Sequence, residues 1–389
     1  MKVLHIIPSI SRKRGGPSTA IMQMVRSLRH EDIDASILTT NDNKLYREDN
    51  YPLGQWFCID EVPILMFPAL NSKSRFLREY LISPKLSCWL IDNIDNYDVL
   101  HIHSVFSYAS TTSMLLARLK RKPYIVRTIG QLSSWSLRQS RWRKSLMLFL
   151  VERGNLINSL AIHVTSKSEM DDLSFVYKHN NVLCLELGVD LSTADPCLIQ
   201  VDNKKTRFIF LSRIHPKKKL DFLLEAFYHL KNTYQHKNWH LIIAGDGDNK
   251  YVEALKDLAK SYGINDYIDW VGHIDGEEKL RLLRNSDWYV LPSMSENFGL
   301  SVVEALAQGV PVIISKEVGI SDIINQNGAG LICGKDISLV DALNIALKGA
   351  PPEMKDAALK LAREKFSWKS IAEKLALFYQ KQLKTKSIL

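Results

Sequence analysis

The chain has 389 residues, 46% of them hydrophobic and 24% charged, with a formal net charge of +9. That length allows two or three domains with full cores, and the composition excludes a disordered chain. No apolar run is long enough to span a membrane, and Ser145–Val151 comes nearest. Met1–Pro8 has a single Lys, a brief apolar run and no small-residue cleavage site, so it does not read as a signal peptide. The five cysteines (58, 88, 184, 197, 333) form no Cys-x-x-Cys pair. Free thiols in a reducing compartment are expected, and hence a cytoplasmic protein.

In chain order, Val3–Ile7 reads as a strand, and Ser11–Thr19 as a basic loop carrying Gly15 and Gly16. This loop is not Gly-x-Gly-x-x-Gly, so a dinucleotide fingerprint fails. Pro17 suits a helix start, and Thr19–Leu28 has helical spacing. Ala35–Thr40, Val99–His103, Tyr124–Arg127 and Ala161–Thr165 read as further strands. Alternation puts His101 and His103 on one sheet face. His103, nearer the strand's C-terminal end, is the better ligand-facing candidate; the other reading is a buried structural histidine.

Val99–Val151 holds nine basic residues and no Asp or Glu, with Trp135 and Trp142 near Arg138, Arg141, Arg143 and Lys144. Solvated helix faces are one reading. A patch for an anionic membrane or lipid-phosphate acceptor is another. No recognition motif supports nucleic acid.

A polar break from Gly188 to Lys205 precedes a second strand–helix series: Phe208–Ser212, His240–Ala244, Tyr267–Val271, Trp288–Leu291, Val312–Ser315 and Gly330–Cys333. Near-continuous apolar strands separated by helices predict an α/β protein with parallel sheets covered on both faces. Ser212–Asp221 is a basic loop after a strand, where Arg213 and Lys218 suit a diphosphate. Ala244–Asp248 carries Gly245 and Gly247 in a tight turn near which a nucleotide is expected to pass. Glu296 and Glu304 lie eight positions apart, flanking a Phe-Gly turn and a helix start. Free N–H groups there suit phosphate, and the carboxylates suit sugar hydroxyls. Phe366–Leu383 is amphipathic, with Ile371, Leu375, Phe378 and Leu383 near one face.

Ser295–Leu300 followed by Glu304–Val312 resembles the donor-binding signature of retaining glycosyltransferases of family 4, including bacterial polysaccharide-assembly members. The resemblance covers nearly the whole chain and is most specific from Arg207 to Gly330. It implies the GT-B architecture: two Rossmann-like parallel-sheet domains with an interdomain cleft. The domains would be residues 1–188 on the acceptor side and 189–365 on the nucleotide-sugar donor side. Residues 366–389 would form a helix crossing back to the first domain.

The implied activity is metal-independent, retaining transfer of a hexosyl group from a UDP- or GDP-linked sugar to a glycan or lipid-linked acceptor. The resemblance implies a place in exopolysaccharide or O-antigen-type synthesis, and the basic stretch Val99–Val151 leads to the expectation of peripheral contact at the inner face of the plasma membrane. By the same resemblance Glu296 contacts sugar hydroxyls, while backbone groups of Asn297, Phe298, Gly299, Leu300 and Ser301 hold sugar and phosphate. Glu304 binds ribose, Arg213 and Lys218 hold the diphosphate, Gly16 and Gly245 lie close to the donor, and Ile274 lies beside the base. With Arg213 and Lys218 supplying charge, Asp246-x-Asp248 and Asp32-x-Asp34 are not read as metal sites, and no cofactor is expected.

Two departures stand out: Lys219 replaces the family's usual Gly, and Ile129 stands where a polar residue is usual. They favour one rival, a non-catalytic nucleotide-sugar-binding protein, and a nucleotide-sugar 2-epimerase of the same architecture is a second.

Overall fold

The computed structural model describes residues 1–11, 15–42, 51–71, 74, 79–139, 141–179, 181–191, 205–334 and 336–386. Arg12–Arg14 in the first glycine loop and most of the Gly188–Lys205 break lie outside the described residues. The chain divides into two compact units, Met1–Gly188 with Trp368–Leu389, and Val189–Ser367.

The first unit is built on an eight-stranded sheet: β1 Lys2–Ile6, β2 Asp34–Asn41, β3 Trp56–Ile59, β4 Val62–Pro68, β5 Val99–His103, β6 Tyr124–Arg127, β7 Ala161–Val164 and β8 Val182–Cys184. Their order is β3-β4-β2-β1-β5-β6-β7-β8, parallel throughout except for β3, which runs antiparallel along β4. The β5, β6 and β7 strands are buried at every position, as strands covered on both faces must be.

Sequence reasoning did not find β3, β4 or β8. The β3–β4 hairpin turns through Asp60 and Glu61, at φ 47° and 67°. This two-residue turn lacks the Asn-Gly or Asp-Gly signal that would have announced it.

The terminal helix Trp368–Lys386 belongs to the first unit and packs on the helix Gly16–His30. Its inward face is Ile371, Ala372, Leu375, Ala376 and Tyr379, while Phe378 and Leu383 are half-buried. The Trp368 indole donates to Gln23 Oε1 at 3.0 Å, and Tyr379 Oη meets His101 Nδ1 at 2.6 Å. Gly188 is needed here, because a Cβ would lie 2.5 Å from the Trp368 ring.

The second unit carries β9 Thr206–Leu211, β10 Trp239–Ala244, β11 Ile268–Gly272, β12 Trp288–Leu291, β13 Val312–Ser315 and β14 Gly330–Cys333. They form one all-parallel sheet in the order β11-β10-β9-β12-β13-β14. Phe227 packs edge-on against Phe208 and tilted against Trp239 in its core, with ring centroids 5.3 and 4.4 Å apart. Each such ring buries 150–250 Å² on folding, roughly 4–6 kcal/mol of transfer free energy. Both units are thus α/β layers on parallel sheets, in agreement with the strand reading from sequence.

Candidate functional site

In the second sheet the chain goes from β9 outward to β10 on one side and returns to β12 on the other. The reversal leaves a crevice at the carboxyl ends of β9 and β12, the place where open α/β sheets bind ligands. The loops leaving those two strands are Ser212–Lys219 and Pro292–Gly299, which carry Arg213, Lys218 and Glu296.

These loops are tied to each other. Met294 N–H donates to Lys217 O at 2.9 Å, and the Lys218 ammonium donates to Glu296 Oε2. The Glu296 backbone is fixed separately, its N–H to Glu317 O at 3.0 Å and its carbonyl accepting from Gly319 N–H at 2.8 Å. Lys218 and Glu296 side chains are 15% and 20% exposed, enough to reach a ligand while most of each is shielded. Arg213 is exposed nearby. Burial holds the Lys217 ammonium below the usual lysine range, partly opposed by the Glu296 charge. His215 is lowered as well, by burial first and then by Arg213, Lys217 and Lys218.

Gly299 caps the helix Leu300–Ala307 at φ +86°, a conformation that a side chain would strain. The first bond of this helix is Val302 N–H to Gly299 O at 2.9 Å. The preceding amides of Leu300 and Ser301 precede that bond and suit an anion. Phe298 is buried and packs edge-on against Phe366, ring centroids 5.8 Å apart, so its side chain anchors the turn and only its backbone is available. Asn297, Leu300 and Ser301 are partly exposed.

Glu304 follows one turn into the helix, where Oε1 accepts from Lys279 Nζ at 2.8 Å. Ser301 Oγ shares a 2.7 Å hydrogen bond with Tyr289 Oη, which also donates to Leu211 O at 3.1 Å. Lys279 and Tyr289 were missed from sequence. Lys279 sits in an ordinary charged helix, Gly276–Arg284, and Tyr289 in an apolar strand, so neither carries a local signal.

Gly245 and Gly247 stand where two loops approach each other closely. A Cβ at Gly245 would lie 1.9 Å from Ser212 O, and one at Gly247 would lie 2.3 Å from Ile214 O. These glycines let the loop after β10 pack on the loop after β9, with Ile214 N–H donating to Asp246 O at 2.7 Å. They position the basic loop. Asp248 caps the helix Asn249–Ser261 through Tyr251 N–H at 3.1 Å, and Asp246 lies 3.9 Å from His273 Nδ1. Ile274 is buried after β11, next to the exposed His273.

Lys219 occupies the left-handed region at φ 56° and ψ 40°, which accounts for glycine being the usual residue. Lys219→Gly is therefore expected to stabilise the second unit by about 1 kcal/mol, a rise of about 2–4 °C in Tm. A lower Tm on thermal denaturation would show that the lysine side chain contributes more than its backbone costs.

In the first unit, Gly16 opens the helix Gly16–His30 after Gly15 at φ 81° and is exposed. His101 and His103 share one face as alternation requires, their rings stacked 4.4 Å apart. The preference for His103 as the ligand-facing one is corrected, because both are fully buried. His103 Nε2 bonds His5 Nδ1 at 3.0 Å, and its Nδ1 lies 3.4 Å from Arg127 Nη1. His5, His101 and His103 bring nitrogens within 4.8 Å of one another. The buried Arg127 guanidinium beside them opposes a divalent cation there.

Ile129 has φ +51°, an outlier for a β-branched residue. Glu169 holds it there by accepting from Thr128 Oγ1 at 2.5 Å and Gly130 N–H at 2.6 Å. Strain of this kind persists only where the surroundings over-determine the backbone.

The family model described as glycosyl transferases group 1 matches residues 199–365, and that of the glycosyl transferase 4-like domain matches residues 15–182. Among curated relatives, the GDP-mannose:cellobiosyl-diphosphopolyprenol alpha-mannosyltransferase of Komagataeibacter xylinus is 24% identical, over 98% of this chain and 94% of its own length. The phosphatidyl-myo-inositol mannosyltransferase of Mycobacterium leprae is 25% identical, over 98% of this chain and 96% of its own. Among solved structures, Anabaena Alr3699/HepE with UDP and glucose superposes with a TM-score of 0.72 at 16% identity, covering 98% of this chain and 100% of that one. The glycosyltransferase WaaG, described as involved in lipopolysaccharide biosynthesis, superposes with a TM-score of 0.69 at 15% identity, covering 97% and 98%. The two family models between them match most of the chain, and the chain, with its two parallel-sheet units, belongs to the GT-B glycosyltransferases of group 1.

Proposed function

We propose that the protein moves a sugar from a nucleotide diphosphate sugar to a glycan or lipid-linked acceptor, with retention of configuration and without a metal ion, in polysaccharide synthesis. The observation that carries this reading is the Lys218–Glu296 pair at the switch point of the second sheet. A lysine keeps three N–H donors, so Lys218 can hold Glu296 and a phosphate oxygen together. Glu296 then accepts from sugar hydroxyls. The Leu300 and Ser301 amides take phosphate, and Glu304, held by Lys279, accepts from ribose. Arg213 and Lys218 stabilise charge on the departing diphosphate, in the role a metal would otherwise fill. The Komagataeibacter relative's name gives a GDP-sugar donor and a lipid-linked acceptor, and the Anabaena structure holds UDP with glucose, so both nucleotide types are in keeping.

Calorimetry with free UDP and GDP and with their sugar conjugates tests the assignment. Glu304→Ala is expected to weaken free nucleotide and nucleotide sugar alike, by about 1–3 kcal/mol for two unmatched hydroxyls. Glu296→Ala is expected to spare the free nucleotide and weaken only the conjugate. Equal losses for both variants on both ligands would sink the division of roles.

A second reading, a binder without turnover, draws on Ile129, an aliphatic side chain held in a strained loop. Nucleotide-sugar binding with no transfer or hydrolysis would favour it.

A further inference from the structure

Residues 141–157 form one continuous helical run: Arg141–Met147, a wide turn Leu148–Glu152, and Arg153–Ile157. Its inner side is firmly seated. Glu152 accepts from Thr111 Oγ1 and from Asn155 Nδ2 at 3.0 Å, Asn155 Oδ1 accepts from Arg118 at 3.1 Å, and Leu156 joins the core. Its outer side presents Trp142, Leu146, Phe149 and Leu150, which are 69%, 49%, 78% and 65% exposed. The spacing i, i+4, i+7, i+8 makes a single apolar stripe.

Arg138, Arg141, Arg143 and Arg153 are exposed around this stripe. Arg143 lies over the Trp142 ring, 5.3 Å from its centroid. The one acid of the run, Glu152, is fully buried. Two residues expected on this surface from sequence are turned inward. Lys144 Nζ donates to Ser136 O at 2.6 Å, and Trp135 is half-buried. Soluble domains rarely leave four large apolar side chains together in water, so the stripe needs a cover.

We propose that this face of the first unit docks on the surface of an anionic bilayer, with Trp142, Leu146, Phe149 and Leu150 in the headgroup–acyl boundary and the arginines among lipid phosphates. The charge selects this occupant. A second copy meeting the face about a two-fold axis sets arginine against arginine. An anionic interface satisfies the rim, while its acyl edge takes the stripe. Among the described residues no helix is long and apolar enough to cross a membrane, so the contact is peripheral. The inference names the surface on which a lipid-linked acceptor is met, and rests on the transferase reading only for that acceptor.

The test is co-sedimentation with vesicles of phosphatidylcholine alone and with phosphatidylglycerol added, over a salt series, alongside nucleotide calorimetry. The wild-type chain is expected to bind the anionic vesicles at least about tenfold more tightly than neutral ones, with the difference shrinking as salt rises. Phe149→Asp with Leu150→Asp, and separately Arg138→Glu with Arg141→Glu and Arg143→Glu, are each expected to cost about tenfold or more in vesicle binding. Both variants should keep wild-type affinity for free nucleotide. Equal binding to neutral vesicles, or none to anionic ones at low salt, overturns the proposal. So does wild-type vesicle binding by the Phe149/Leu150 variant, or a wild-type dimer that this variant converts to monomer. Loss of nucleotide affinity in Glu304→Ala with vesicle binding intact, or the converse in the arginine variant, separates failure of one reading from failure of the other.

Discussion

Lys218→Ala is expected to lower kcat for sugar transfer by about a hundredfold, the scale found when one pre-organised donor to a developing charge is removed. Affinity for the donor should fall much less, because the negative charge on the diphosphate grows as its bond to the sugar breaks and the lysine serves that growth. A second effect adds to the first. Glu296, mostly shielded and held by Lys218, loses its counter-charge in the variant. Lys218→Arg, which keeps the charge, should recover part of the loss. Steady-state kinetics in excess chelator complete the test, with full activity expected. If chelator abolishes transfer and Mg²⁺ or Mn²⁺ restores it, Arg213 and Lys218 do not suffice, and Asp246 with Asp248 returns as a metal site.

The second large effect is on stability in mild acid. Four histidines are fully buried in the first sheet. They are linked as His5 to His103 at 3.0 Å and His101 to His163 at 3.3 Å, with the Arg127 charge nearby. Burial holds His5 and His163 down to about 3, and His101 and His103 well below the ordinary histidine range. An unfolded chain protonates them near pH 6.5, so below that pH it binds protons that the folded chain cannot. Their contribution is therefore complete above about pH 6.5 and is lost as pH falls toward about 3. Between pH 7 and 5.5 each such histidine removes about 1 kcal/mol, hence roughly 4–5 kcal/mol for four. Urea denaturation at the two pH values should show this drop, and His5→Leu should make it shallower. A midpoint unchanged over that interval would mean that the cluster accepts protons while folded.

These histidines also show where a local reading stops. Alternation placed His101 and His103 on one face, and β5 does so. Which was open to a ligand depended on what covered the sheet. His5 stands beside His101 because β1 pairs with β5, and Tyr379 arrives from 278 residues away. No spacing in the sequence encodes those encounters.

The strands of both sheets were legible because each is an apolar run buried on two sides, and position along such a run fixes its pattern. The Glu296–Glu304 segment was legible because Gly299 is forced by a left-handed helix cap and the following apolar residues by a buried helix face. The edge strands β3 and β8 were not, since a partly exposed edge needs no continuous apolar pattern; β4 lies inside the sheet and does carry an apolar run, Val62–Pro68, but the Asp60-Glu61 turn that opens it is unmarked. Only the tertiary structure could show that Lys218 meets Glu296, that Lys279 meets Glu304, and that Gly245 is required by Ser212. The same holds for Lys144 turning inward while Phe149 and Leu150 face out. Each of these is set by the approach of segments distant in sequence, and such an approach is decided by how whole layers pack rather than by the residues on either side.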